Sequence, residues 1–209
     1  MKLRLLQTLG QLGSFGSGSR ASTIPVAKST GALRMRHLEL PEYSILKIEA
    51  DIDVIWRPGP PKARLRLRES LLRHLKIEPF EQTLSIEAAC HFDGDRPLID
   101  LSGGHIAEVH LGASSQATLY DLRSSMFIAS AFDRSCLRAQ GHARALHLEA
   151  GQQATLDCAS LICEIAVADL RDECVALIRA EAALQAETRG NSHLLTIGSP
   201  LILDVRRLA

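Results

Sequence analysis

Aromatic side chains and net charge are both scarce in this chain of 209 residues. Phe, Trp and Tyr together make up 4% of the sequence, so side chains that could stack on nucleic-acid bases or sugar rings are few. The 24 basic residues are matched by 24 acidic ones. No bulk positive charge is therefore present to attract nucleic acid or an anionic membrane surface, and the composition argues against a nucleic-acid-binding protein.

Long apolar runs are also missing. No stretch of 18 or more apolar residues occurs, so the sequence predicts no transmembrane segment. Lys2 and Arg4 precede a short apolar stretch, but Gln and Gly interrupt it and no clear cleavage site follows, which makes a poor secretory leader. The segment 13–23 is rich in Gly and Ser. We interpret residues 1–32 as a disordered Gly/Ser-rich tail or a weak leader.

What the sequence does contain is a hydrophobic repeat of 18 to 19 residues in its C-terminal half. Two sets of apolar anchors recur with this spacing. The first set is Leu101, Leu119, Leu137, Leu156, Val175 and Leu194, and the second is Val109, Phe127, Leu146, Ile165, Leu184 and Leu203. A fixed period of this kind is typical of a solenoid, in which each repeat is one coil that buries its apolar side against its neighbours.

The local pattern indicates strands rather than helices within each coil. The residue two positions after each anchor of the second set is also apolar, as Leu148 follows Leu146 with the polar His147 between them. Alternation with period two marks a strand with one buried face. Residues 161–188 are rich in helix-forming Ala, Glu, Leu and Arg, but helical repeats need about 33 to 47 residues. A 19-residue unit favours two short strands and two corners.

We therefore predict an all-β protein with a right-handed parallel β-solenoid, or β-helix, of about six coils. Residues 98–209 are predicted to form this solenoid. Residues 33–97 contain short alternating segments, such as 44–50 and 63–68, and are predicted to form a small N-terminal strand layer that caps one end. Gly and Asn at the predicted corners suit the positive φ of tight turns.

The five cysteines are an odd number, so they cannot all form internal disulfides. Cys136 and Cys174 share a register in the predicted repeat but lie two coils apart, roughly 9.6 Å, which is too far for a disulfide. Cys158 falls on the predicted inward face. We interpret the cysteines as small apolar core residues rather than as reactive thiols or metal ligands.

A family resemblance rests on two features of the chain. The alternating segment 43–56 is followed by a Pro/Gly turn, a second alternating strand at 63–68 and the Leu-Ser-Ile of 84–86. Leu-Ser-Gly at 101–103 and Leu-Gly-Ala-Ser-Ser at 111–115 then begin the repeated coils. Over residues 36–205 this organisation resembles the family of putative autotransporter adhesins, also called the head-GIN domain family. The resemblance implies a β-solenoid, a cell-envelope or exported location, and no catalytic residues that could be carried over.

Candidate catalytic residues do not form a convincing group. Asp100, Asp121 and Asp157 are the carboxylates that a carbohydrate-active β-helix enzyme would use, but they stand at different positions relative to their anchors. Glycoside hydrolysis needs two carboxyl groups about 5 to 9.5 Å apart. No Asp–Asp pair at equal register on adjacent coils is expected, so we predict no catalytic site. Trp56 continues the apolar face of its strand and is predicted to be a core or cap residue.

Candidate metal ligands are equally sparse. His110 and His147 share a register but are separated by Ile128, so both cannot reach one ion at about 2.1 Å. The segment His91-Phe-Asp-Gly-Asp95 faintly resembles a calcium loop, but it lacks the spacing and terminal Glu of an EF-hand. We interpret it as a polar turn, and we predict no metal and no cofactor.

The sequence thus favours a non-enzymatic structural or adhesive solenoid module of the head-GIN type. Its sheet face would meet a cell-surface protein or a polysaccharide. Two alternatives stay open: a self-assembling scaffold of the bactofilin kind, which would stack its solenoid ends through strand-forming residues near 201–205, and a carbohydrate-active β-helix enzyme.

Overall fold

The structure is a computed structural model and describes residues 25–208. It contains 16 strands and a single 3-10 turn at Glu69–Leu71. The strands are β1 (Val26–Lys28), β2 (Leu33–Glu39), β3 (Ile45–Glu49), β4 (Asp53–Pro58), β5 (Lys62–Arg68), β6 (Leu75–Phe80), β7 (Thr83–Ala88), β8 (His91–Asp93), β9 (Leu98–Gly103), β10 (Glu108–Gly112), β11 (Gln116–Ala131), β12 (Cys136–Ala150), β13 (Thr155–Leu170), β14 (Val175–Arg189), β15 (His193–Ile197) and β16 (Ile202–Leu208).

Stacked parallel strands form a β-solenoid of about five turns, which confirms the predicted fold class. The long strands β11 to β14 bend between two ladders of hydrogen bonds. We call the ladder through β9, β4, the first residues of β11 to β14 and β15 face A. Face B runs through β7, β3, β10, the last residues of β11 to β14 and β16.

The core lies between the two faces and is built from columns of stacked apolar side chains. One column of face B consists of Phe127, Leu146, Ala166 and Leu184, all at most 2% exposed. Alternation of polar and apolar residues makes every second side chain point inward, where it meets its partner on the next coil. Burial of each large side chain contributes about 1.5 to 3 kcal/mol. Trp56 is 1% exposed, so its predicted place in the core is confirmed.

The repeat is less regular than the sequence suggests. The steps between paired residues on face B are 20, 19, 20, 18 and 19 residues, along the column Val109, Ala129, Leu148, Ala168, Ala186 and Val205. The predicted anchor Ile165 is therefore wrong: it is 46% exposed, and Ala166 points inward in its place. Val175 is wrong for the same reason, because Ala176 pairs with Leu156.

One extra residue on β13 causes both errors. Leu156 pairs with Leu137 at a step of 19, whereas Ser160 pairs with Gln140 at a step of 20. Because side chains alternate faces, a one-residue insertion turns each following side chain to the other side. Leu148 consequently stacks on Ala168 and not on Val167.

The parallel ladders extend into the segment predicted to be a separate N-terminal layer. β3 pairs in parallel with β10, and β4 pairs in parallel with both β9 and β11. The coil made by β3 and β4 lies between the coil made by β7 and β9 and the coil that begins with β10. Stacking order therefore differs from chain order, and the chain passes the β3–β4 coil between β9 and β10. The division of the chain at residue 98 stays a prediction.

Antiparallel strands cover the N-terminal end of the stack. β5 pairs antiparallel with β9 and then with β2 on face A, and β6 pairs antiparallel with β7 on face B. Beneath them, Leu67, Leu71 and Phe92 are buried, which closes the apolar interior at this end. β1 belongs to the segment 1–32 but forms a parallel strand with β8. The predicted tail or leader up to residue 24 lies outside the described residues.

Arg96 joins three successive coils at this end. Its guanidinium contacts Asp51 and the carbonyl oxygen of Ser114, and lies 3.5 Å from Asp53. The side chain is 27% exposed, so these contacts are partly shielded from water. An ion pair of this kind is stronger than one on an open surface. It fixes the position at which the chain re-enters the stack after the β7–β9 coil.

The corners between face B and face A repeat an unusual backbone. Two successive residues take positive φ in each of four coils, for example Asp133 and Arg134. The predicted Gly and Asn are mostly absent at these places, and left-handed φ costs about 1 to 2 kcal/mol for other residues. Hydrogen bonds between stacked corners offset this cost, as from Arg134 N to Gln152 O at 2.9 Å. The residue after each pair is small and buried, as are Ser135 and Cys174.

Gly141 is the glycine whose replacement should damage the fold most. It has φ of +130°, and an added Cβ would lie 2.6 Å from the backbone nitrogen of Leu122 and overlap its carbonyl oxygen. We expect Gly141→Ala to lower the free energy of unfolding by about 3 kcal/mol, measured in urea. The control is Gly104→Ala, where the nearest atom is 3.4 Å away and φ is ordinary. Equal losses in the two variants would contradict the corner geometry.

Leu148 and His147 test the register of face B. Leu148 is fully buried between Ala129 and Ala168, whereas its neighbour His147 points outward. Leu148→Asp would bury an unpaired charge, and we expect it to lower the free energy of unfolding by about 3 kcal/mol or more. His147→Asp should cost about 1 kcal/mol or less. Similar unfolding midpoints for the two variants in urea would show that the assigned inward side is wrong.

Candidate binding surface

The carboxylates considered for catalysis lie apart in the structure. Asp100 pairs with Arg64 at 3.1 Å on the outer side of face A. Asp157 pairs with Arg138 at 3.1 Å and is four strands away from Asp100 in the ladder. Asp121 lies at an exposed corner. Each of the two sheet carboxylates is held by arginine, and the structure does not bring the three together.

The histidine alignment predicted from a constant period is wrong. His110 lies level with Ser130, and Ile128 lies level with Glu108 and His147. The step of 20 residues between β10 and β11 shifts the two histidines into different rows. His110 Nε2 instead lies 2.6 Å from Glu108 Oε1 on its own strand. Within residues 25–208, no group of three or more His, Cys, Asp or Glu side chains is placed to hold a metal ion.

The segment resembling a calcium loop is occupied by protein contacts. His91, Phe92 and Asp93 form β8, which pairs with β1. The carboxylate of Asp95 accepts a hydrogen bond of 2.8 Å from Arg68. This arrangement matches a polar turn that leads into β9.

The cysteines pack as small apolar residues. Cys158 is fully buried, as predicted for the inward face, and burial raises the pKa of its thiol. Burial also raises the pKa of Cys163 to about 11, and its thiol donates to the carbonyl oxygen of Arg179. Cys136 pairs with Thr155 and Thr155 with Val175, so Cys174 is not in the register predicted for it. It occupies a buried corner instead.

A ladder of charged side chains was missed in the sequence. Glu149, Asp169 and Glu187 stand at equal register on three adjacent coils of face B, about 4.8 Å apart. Arg171 donates to Glu149 at 2.8 Å and to Asp169 at 3.0 Å. The unequal steps of the repeat concealed this alignment, because a constant period places these residues in different rows. Arg171 balances two of the carboxylates, so they form an ion cluster on the outer surface.

An exposed apolar strip runs beside this ladder on the outer side of face B. Met126, Ile165 and Ile202 are 48%, 46% and 66% exposed and belong to one row across the coils. Half-buried Ile128 and Val167 lie in the neighbouring row. We call these five residues the apolar strip. An apolar centre with charged groups along one side is the usual composition of a protein interface.

A shallow groove follows the stacked corners. Its volume is about 970 Å³, and Ser114, Asp133, Gln152, Asp172 and Asn191 are among its lining residues. The backbone amides of the corners already donate to one another across the coils. Fewer free donors are therefore directed into this groove than polar corners alone would suggest, and the apolar strip is the stronger candidate surface.

Comparison with known proteins identifies the fold. The sequence matches no family model and no curated protein. A crystal structure described as a putative adhesin from Bacteroides fragilis superposes with a TM-score of 0.63 at 11% identity, over 86% of this chain and 95% of that chain. A putative adhesin from Parabacteroides distasonis gives 0.58 at 12% identity, over 88% and 98%. The chain has an adhesin-like fold.

A third similar structure is described differently. It is a putative lipid binding protein from Parabacteroides distasonis, with a TM-score of 0.55 at 11% identity over 87% of this chain and 96% of that chain. Identities this low establish shared architecture and leave the outer residues unrelated. Among the described residues, no helix is long and apolar enough to cross a membrane.

Thiol labelling tests which cysteines face outward. Cys136 is half-buried on the outer side of face A, and the other four cysteines are buried. We expect a maleimide to modify one thiol in the native protein and all five after unfolding in urea, because buried thiols are shielded and hard to ionise. Intact mass before and after digestion gives the number and the position. Rapid native labelling at Cys158 or Cys163 would contradict the inward packing of β13.

Proposed function

We propose that this chain is a non-enzymatic structural or adhesive module of the head-GIN type, which presents the outer side of face B to a partner at a cell surface. The single observation that carries the proposal is the apolar strip beside the charged ladder. Met126, Ile165 and Ile202 expose apolar surface that gains nothing from water and that the core does not need. The likeness to structures described as adhesins supports an adhesive role in general terms.

The chemistry of face B favours a protein partner over a polysaccharide. Sugar recognition relies heavily on aromatic rings, and the outer row of the strip contains none. A protein interface combines an apolar centre with ion pairs at its border, and Glu149, Asp169 and Arg171 supply such a border. An exported or cell-envelope location follows from this role. A partner segment of extended chain or a flat protein surface would fit a sheet face of regular spacing.

A regular solenoid also supplies the rigidity that such a surface needs. Ile165 and Val167 lie on β13, which is hydrogen-bonded to β12 and β14 along nearly its whole length. Side chains held by two neighbouring strands lose little freedom when a partner binds. The outer surface is therefore already arranged for binding.

Ile165→Glu tests the proposed surface. Ile165 is 46% exposed, so the variant should fold, and the new charge should weaken binding about tenfold or more by placing an unpaired carboxylate in the interface. Thr118→Glu introduces the same group on the outer side of face A and serves as the matched control. The measurement is binding of the fluorescently labelled full chain to a panel of bacterial and animal cells by flow cytometry.

Pretreatment of the cells separates the alternatives. Protease treatment of the cells should abolish binding, and glycosidase treatment should not. Binding that survives protease but disappears with glycosidase would replace the protein partner with a polysaccharide. Equal binding by the Ile165 and Thr118 variants would remove face B as the adhesive surface. Turnover of a polysaccharide that is lost in Asp169→Asn would contradict the non-enzymatic role.

A further inference from the structure

The two ends of the solenoid are finished in different ways. At the N-terminal end, β5, β2 and β6 run antiparallel to the stack and Leu71 is fully buried beneath them. On the β6 edge, Pro79 has no N–H with which to extend the sheet. At the C-terminal end, β16 and β15 are the last strands of their faces in the described chain. No described residue covers them.

The last coil exposes side chains that are buried in every other coil. Leu203 continues the column of Phe127, Leu146 and Leu184 but is 57% exposed. Val205 continues the column of Leu148 and is 40% exposed. The inward side of β16 is therefore an apolar surface without a neighbour among the described residues, next to a row of free backbone hydrogen-bonding groups. Both features favour the addition of another strand.

We propose that two copies of this chain form a closed two-fold dimer through antiparallel pairing of β16 with β16 of the second copy. Rotation about a two-fold axis through Val205 overlaps all seven residues of the strand. Ile202 then lies opposite Leu208 of the second copy on the outer side, and Val205 lies opposite its own equivalent on the inner side. The open end of one solenoid covers the open end of the other.

Charge complementarity selects this register. The outer side of β16 carries Asp204 and Arg206, which form an ion pair of 3.2 Å within the single chain. In the antiparallel register centred on Val205, Asp204 of each copy faces Arg206 of the other. Opposite charges directly across an antiparallel pair are favourable, and like charges are unfavourable. The two-fold axis produces this contact twice.

The difference between the ends also decides between a dimer and a filament. A head-to-tail filament requires one end of the stack to continue onto the other. The N-terminal end instead presents antiparallel edge strands, with Pro79 on face B and Arg34 and Arg36 on β2. An isologous pairing uses only the C-terminal end and leaves no open end for further growth. This proposal does not depend on the adhesive role, because it involves a different surface.

Reversal of charge on β16 gives a direct test. Asp204→Arg sets two guanidinium groups opposite each other at both contacts of the dimer, and Arg206→Asp sets two carboxylates opposite each other there, so each variant repels its own copy. We expect each to weaken dimerisation about tenfold or more, measured by sedimentation of the full chain over a roughly hundredfold range of concentration. An equimolar mixture of the two variants should dimerise again, because both contacts then join opposite charges.

Two further variants complete the experiment. The double variant Asp204→Arg with Arg206→Asp should dimerise like the unmodified chain, which shows that a loss in the single variants is not misfolding. Glu78→Arg makes a charge change at the N-terminal end and should leave the dimer unaffected. A monomer at all concentrations, growth beyond the dimer, or failure of the mixture to recover would each overturn the proposal.

Discussion

Each coil of this protein can bury its apolar side chains only when the next coil lies in register with it. A single coil has two short strands and no interior of its own, so the parallel ladder and the core are one interaction. The column of Phe127, Leu146, Ala166 and Leu184 is buried because each backbone segment is fixed by the one before it. The same dependence explains why left-handed φ at the corners is tolerated, since stacked corners donate hydrogen bonds to each other.

This constraint leaves the ends of the stack as a separate problem. The N-terminal end solves it by reversing strand direction and by placing the β3–β4 coil between two coils that lie later in the chain. Leu67 and Leu71 then fill the last layer of the interior. The C-terminal end repeats the apolar column to Leu203, which no described residue covers. Pairing with a second copy would complete the same interaction across two chains.

The outer surface is freed from the demands of the core and can carry specificity. The extra residue on β13 turns Ile165 outward and Ala166 inward, so one irregularity contributes both a small core residue and an exposed apolar one. Unequal steps also bring Glu149, Asp169 and Glu187 into one row. Solved structures at 11 to 12% identity share the fold, which needs only the alternation of apolar residues and the approximate period. Their likeness therefore places no restriction on the strip or the ladder.

The sequence by itself determined the class of fold, because period-two alternation within an 18- to 19-residue repeat requires strands and stacked coils. It also placed Trp56 and Cys158 in the core, since each follows the inward phase of its own strand. Tertiary structure alone decided the register. A single added residue reverses the faces of a strand, and its effect on Ile165 and Val175 becomes visible only when the coils are aligned. The charged ladder, the covered N-terminal end and the open C-terminal coil depend on contacts between distant residues, which spacing along the chain does not specify.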